Sequence, residues 1–229
     1  MIDTKIEFNK RLAEIDLYFQ TLEILDKGRC KILCQTINGD ELKQDINEEL
    51  TRILKANGFL LLYNLIESTI RKSITAIFNA MHSESVTFHQ LTLDLRKLWI
   101  NQQVRDFKEG TFKIDTLKKL LYDIADSILN SQLLQFESTC VNISGNIDAR
   151  EIRGIAAQFG FKQSLNGEEL LTVKDKRNKL AHGELTFTEI GRDYTINDLI
   201  TFKEKSHNYL LDVLNCIEEY INERKYKVV

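Results

Sequence analysis

Apolar positions recur at helical spacing along most of the chain. From about Thr4 to Lys27, residues Ile6, Leu12, Ile15, Leu17, Phe19, Leu22 and Leu25 form a stripe that stops at Lys27-Gly28, which predicts a first helix. The stretch from Gly28 to Asp40 is open between a short strand and another helical turn, with Asn38-Gly39-Asp40 as a turn signal. From about Asp45 to Met81 runs the longest periodic segment, through Leu50, Ile53, Leu54, Leu61, Leu65, Ile70, Ile74 and Ile77. Its middle is apolar nearly all round, the pattern of a central buried helix.

A third helix is predicted from about Leu91 to Phe107, ended by Glu109-Gly110, and a fourth from Asp115 as N-cap through Leu133. After the polar link 141–146, a short helix runs from Asp148 to Phe159 and stops at Gly160; another spans about Asn166 to Ala181. Leu185 to Ile190 and Tyr194 to Ile196 alternate around Gly191-Arg192-Asp193 like a small β-hairpin. The last helix, about Asn197 to Arg224, lines up Leu199, Phe202, Tyr209, Leu210, Val213, Leu214, Ile217, Tyr220 and Ile221. The fold class is all-α, a helical bundle with one small β-hairpin before the last helix.

Composition strengthens the helical reading. The 229 residues contain no proline, which suits long helices better than a turn-rich sandwich or barrel. The longest apolar stretch, Phe59 to Ile66, is interrupted by Asn64 and too short to span a bilayer, so no membrane association is expected. The N-terminal residues show no basic region followed by an apolar run, and a cytoplasmic location is the expectation. Cys30, Cys34, Cys140 and Cys216 form no CxxC pair and, with the histidines, no zinc spacing; they read as reduced, mostly buried thiols. No cofactor or metal is expected, since the sequence has no Gly-rich phosphate loop, GxSxG or HExxH.

A net charge of −3 does not announce a nucleic-acid-binding protein, so any such role needs a local patch. One exists. Lys174, Lys176, Arg177 and Lys179 against Asp175 give +3 within six residues, leading into Leu180-Ala181-His182-Gly183. On an ideal helix Arg177 and His182 stand about 140° apart. Gly183, however, is placed to end the helix, so His182 falls at its terminus and can turn toward the Arg177 side. Arginine matches a phosphate in forked geometry and histidine exchanges protons near neutral pH, the two requirements of metal-free RNA cleavage. The competing explanation is that basic residues in a last helical turn only offset the helix dipole. An Arg followed by four to six residues and then a His arises readily by chance. The full string Arg177-Asn178-Lys179-Leu180-Ala181-His182-Gly183 does not.

That string resembles the R-x(4–6)-H signature of the HEPN superfamily in its R-N-x-x-A-H form. The segments Leu62 to Arg71, Leu98 to Asn101, Gly145 to Arg150 and Phe159 to Phe161 are similar to the MAE-type HEPN-like nucleases, over about residues 48 to 224. The resemblance implies a HEPN-like bundle at 48–229 with residues 1–47 as an added N-terminal helical extension. It also implies a homodimer in which two motifs meet, and a metal-independent endoribonuclease. Arg177 and His182 are then catalytic, with Lys174, Lys176 and Lys179 contacting RNA phosphates. Asn178 either supports His182 or the phosphate by hydrogen bonding, or simply faces solvent. Glu67 either pairs with Arg71 one turn on, or reaches the Arg177 region and holds it. A toxin or phage-defence setting, with an antitoxin or defence-system partner protein, follows from the resemblance alone. One departure is Glu184, where some HEPN toxins carry a Tyr modified by a partner nucleotidyltransferase. The alternative function is a non-catalytic HEPN module that binds RNA, a nucleotide or a protein.

Overall fold

A computed structural model describes residues 1–228 apart from 36, 39, 106–112, 138–142 and 144. Among these, eight α-helices form the body: α1 (Ile2–Asp26), α2 (Glu48–Ser83), α3 (Leu93–Gln103), α4 (Ile114–Leu129), α5 (Ala149–Phe159), α6 (Glu169–Ala181), α7 (Phe187–Arg192) and α8 (Ile196–Asn222). An antiparallel hairpin, β1 (Lys31–Gln35) and β2 (Glu41–Asp45), joins α1 to α2.

α2 is the axis. Asn47 accepts the Leu50 amide at 2.8 Å and Glu48 and Glu49 occupy the first turn, so the helix starts with a satisfied cap and a favourable dipole partner. Because Phe59, Leu62, Tyr63, Leu65, Ile66, Ile70, Ile74 and Ile77 are all buried, α1, α6, α7 and α8 can pack around it. α1 belongs to the same core through Phe8, Ile15, Phe19 and Leu22. On the far side α5 packs on α3, and Asp148 caps it by accepting the Arg150 and Glu151 amides. Gly160 ends α5 in the left-handed region, where the sequence had placed its stop.

The hairpin is not where the alternation at 185–196 predicted it. That segment is α7. Thr186 accepts the Glu189 amide while the Glu189 carboxylate accepts the Thr186 amide, a reciprocal cap that commits the backbone to a helix. The helix then lies so close to α2 that a Cβ on Gly191 would fall 1.9 Å from the Arg52 carbonyl oxygen. The β-structure is instead the ambiguous 28–40 region, paired with residues 41–45.

Three further expectations change. The third helix starts at Leu93 rather than Leu91, after an extended Thr92 N-cap and a separate 3₁₀ turn at Phe88–Gln90; its expected stop at Glu109-Gly110 lies outside the described residues. α4 starts one residue before Asp115, with Lys113 at the N-cap and no side-chain cap, and buries none of its residues. The thiols are less hidden than composition suggested: Cys216 is buried, Cys30 half-buried and Cys34 exposed, the last two because they flank or lie on the hairpin. Cys140 lies outside the described residues. Among those residues, no helix is long and apolar enough to cross a membrane.

Candidate functional site

The basic string occupies the second half of α6, and its end is closed by a specific device. The Gly183 amide donates to the Leu180 carbonyl at 3.3 Å and the Glu184 amide to the Lys179 carbonyl at 2.9 Å. This pairing needs a left-handed residue between them, which Gly183 supplies at φ +69°. His182 is therefore the C-cap. Its amide still donates to the Asn178 carbonyl at 2.9 Å, so its backbone is held rather than frayed. Its side chain is exposed, and no hydrogen bond or ion pair engages the imidazole among the described residues.

Arg177 is the opposite case. Its guanidinium lies over the Tyr63 ring, 4.3 Å from the centroid. Nη1 donates to the Gly145 carbonyl at 3.0 Å and to Asn178 Oδ1 at 2.9 Å. Nε and Nη2 carry no hydrogen bond among the described residues, so one forked edge stays available. Asn178 is not a solvent-facing bystander: its Nδ2 donates to Asn146 Oδ1 at 2.9 Å, tying α6 to the 145–146 segment.

That segment is the bracket of the site. The Ile147 amide donates to the Tyr63 hydroxyl at 3.1 Å, and Arg71 Nη2 donates to the Ile143 carbonyl at 2.8 Å. Asp148 pairs with Lys174. Tyr63 is fully buried; burial pushes its phenol up, opposed in part by the Ile147 amide. Burial would likewise raise the Asp148 carboxyl, but the bonds from Lys174 and the Glu151 and Arg150 amides outweigh it and hold the group below its ordinary value.

The remaining candidates divide. Glu67 pairs with Arg71 at 2.9 Å, the i,i+4 alternative, rather than reaching Arg177. Its link to the site is indirect, through the same Arg71 that holds Ile143. Lys179 pairs with Asp175 at 3.0 Å, which raises its ammonium above the ordinary value. Lys176 lies over the Tyr194 ring at 5.5 Å. Among the described residues, Lys174 and Lys179 thus already face carboxylates, while Arg177 and Lys176 do not. Of the other histidines, His82 and His89 are exposed, and His207 stacks on Phe8 at 5.8 Å. Clefts of about 580 Å³ beside Gly167 and Tyr209 and about 360 Å³ beside Glu67 and Arg71 are lined by neither Arg177 nor His182.

Sequence reasoning passed over Tyr63, Gly145, Asn146 and Asp148 as site residues. All four lie in segments that carry the family resemblance, and Asp148 also carries a local signal, as an acceptor three residues before Glu151 at a helix start.

The chain matches the MAE_28990-like HEPN family model over residues 5–226. The chain belongs to that HEPN family. The match takes in α1 and the hairpin as well as the helices from residue 48 onward. No curated protein and no solved structure matches the chain. Within this HEPN chain, Arg177 and His182 end the basic string differently, one anchored and one exposed.

Proposed function

We propose that the chain is a metal-independent endoribonuclease acting as a homodimer, and that it serves as a toxin or defence effector. The reading rests on one observation above the rest: a guanidinium held against Tyr63 and Gly145 with Nε and Nη2 unengaged, five residues before an exposed imidazole. In this scheme His182 takes the proton from a ribose 2′-hydroxyl as that oxygen attacks the adjacent phosphorus. The P–O5′ bond breaks, and the second copy's His182 or a water protonates the leaving oxygen. Arg177 stabilises the charge that accumulates on the phosphorane, at an edge already oriented before substrate arrives. The products are a 2′,3′-cyclic phosphate and a 5′-hydroxyl. Lys176 is the remaining phosphate contact, because Lys174 and Lys179 are engaged by Asp148 and Asp175.

Those two ion pairs, with the net charge of −3, favour a second reading: a HEPN module that binds RNA, a nucleotide or a protein without cutting. The two readings separate in one assay. Folded Arg177→Ala and His182→Ala variants are compared with the parent on total RNA. Loss of cleavage in both supports the nuclease. Equal cleavage in all three removes these residues from the chemistry, and no cleavage by a folded parent dimer supports the binding module.

A further inference from the structure

Two consecutive residues of α6 meet two consecutive residues of the bracket. Arg177 Nη1 donates to the Gly145 carbonyl at 3.0 Å and to Asn178 Oδ1 at 2.9 Å, which engages both of its protons. Asn178 Nδ2 donates to Asn146 Oδ1 at 2.9 Å. The chain links 145–146 and 177–178 close these bonds into a ring.

The ring has only one possible direction. A guanidinium has five N–H groups and no acceptor, whereas an amide side chain offers an oxygen on one side and an NH₂ on the other. Turning Asn178 over sets its Nδ2 against Arg177 Nη1 and its oxygen against Asn146 Oδ1, and both bonds are lost. Turning Asn146 alone sets Nδ2 against Nδ2. Turning both restores the bond between the amides but leaves donor against donor at Arg177. One combination satisfies both contacts. The arginine, which cannot accept, dictates the direction, and Asn146 is the residue that completes it.

Asn146 is exposed, and its one side-chain bond among the described residues goes to Asn178. An exposed amide with a single bond adds little to stability. What it adds is orientation. Without it, Asn178 holds Nη1 in one of its two settings only, and water competes for both. The guanidinium is then left with the Gly145 carbonyl and the Tyr63 ring, about which it can tilt, carrying Nε and Nη2 off line.

We propose that Asn146 is a positioning residue for Arg177: through Asn178 it fixes the direction of the ring, and with it the direction in which the Nε and Nη2 edge faces a phosphate. This rests on the nuclease reading above for its use in cleavage but not for the ring itself.

The test uses the full chain, with folding of each variant checked by circular dichroism. Asn146→Asp keeps the accepting oxygen. Asn178→Asp still accepts from Arg177, while Asn146 turns its Nδ2 inward, so each single variant retains a closed ring. The double variant sets two carboxylates face to face, where both cannot stay ionised. Its urea midpoint at pH 7 is expected to fall below the sum of the two single shifts. That excess loss should shrink toward about pH 4, as a shared proton restores a bond.

In cleavage of an RNA oligonucleotide, Asn146→Ala is expected to lower kcat about three- to tenfold, the scale of one hydrogen bond, with KM unchanged. Asn146→Asp should restore kcat, while its charge raises KM. An additive double variant overturns the ring. An Asn146→Asp as slow as Asn146→Ala overturns the role of the accepting oxygen. If the parent cuts RNA and Asn146→Ala keeps its kcat, the positioning role is wrong and the nuclease stands. If the double variant is non-additive and the parent never cuts RNA, the orientation of Arg177 by Asn146 stands and the nuclease reading falls.

Discussion

The two ends of the motif are built in opposite ways. Arg177 is stacked on a buried tyrosine, bonded to a backbone carbonyl and braced by Asn178; His182, five residues later, has a fixed backbone and an unengaged ring. In the nuclease proposed above, the difference follows from what each group is asked to do. A permanently charged group gains from being oriented in advance, since its reorganisation is then complete before the transition state. A proton-transferring group must meet its substrate and a second acid, so a single chain leaves it open. The anchored half of the site belongs to the fold, and the open half to the encounter.

The contrast is sharpest in the paired alanine variants. Arg177→Ala is expected to lower RNA cleavage by about 10²–10³-fold and His182→Ala by about 10²–10⁴-fold. Their stabilities should part. Removing Arg177 deletes the stacking and leaves the Gly145 carbonyl and Asn178 without their donor, a loss of about 1–3 kcal/mol in urea unfolding. His182→Ala should stay within about 0.5 kcal/mol of the parent. Equal destabilisation by the two would erase the comparison.

Gly145→Ala probes the anchor without touching the arginine. A Cβ there would lie 3.2 Å from Arg177 Nη1, the far end of a flexible side chain, so the guanidinium shifts while the fold accommodates it. Cleavage should fall about tenfold, the scale of a displacement well under 1 Å, with little change in melting temperature. A drop in stability with unchanged activity would mean that the contact is only packing.

Tyr63→Phe is smaller in activity. It keeps the ring beneath Arg177 and removes the acceptor of the buried Ile147 amide. Unfolding measurements should show a loss of about 1–2 kcal/mol, with cleavage within a few-fold of the parent. Tyr63→Leu, which removes the ring as well, should then cost more activity than Tyr63→Phe.

The smallest effect is the pH dependence of the bracket. The folded Asp148 carboxyl sits below its ordinary value of 3.8, so its stabilisation is fully present above that pH and is lost as pH falls through the lowered value. Asp148→Asn should flatten the acid side of the stability profile below pH 3.8 and leave its neutral side parallel to the parent's. A profile unchanged in slope would remove Asp148 from the acid response.

Much of the anchored half could not be read from the chain. Gly160 and Gly183 announce helix ends because their effect is local, and the motif string lies in consecutive residues. Tyr63 is one apolar position among many on α2; its role appears only when residues 145–147, more than eighty positions away, are folded against it. The segment 185–196 misled for a related reason. Leu185, Phe187, Tyr194 and Ile196 alternate as a strand would, yet the Thr186 and Glu189 cap, a four-residue signal, decides the backbone. The hairpin is ambiguous in the sequence because Ile32, Leu33 and Cys34 are consecutive apolar residues, and the strand that pairs with them reads as polar loop.

The most direct measurement is cleavage of total RNA by the purified chain in excess EDTA, beside His182→Ala, with the product termini identified. The account predicts cleavage that survives chelation, disappears in the variant and leaves 2′,3′-cyclic phosphate and 5′-hydroxyl ends. Cleavage that requires a divalent ion, or that leaves 3′-hydroxyl and 5′-phosphate ends, would contradict it.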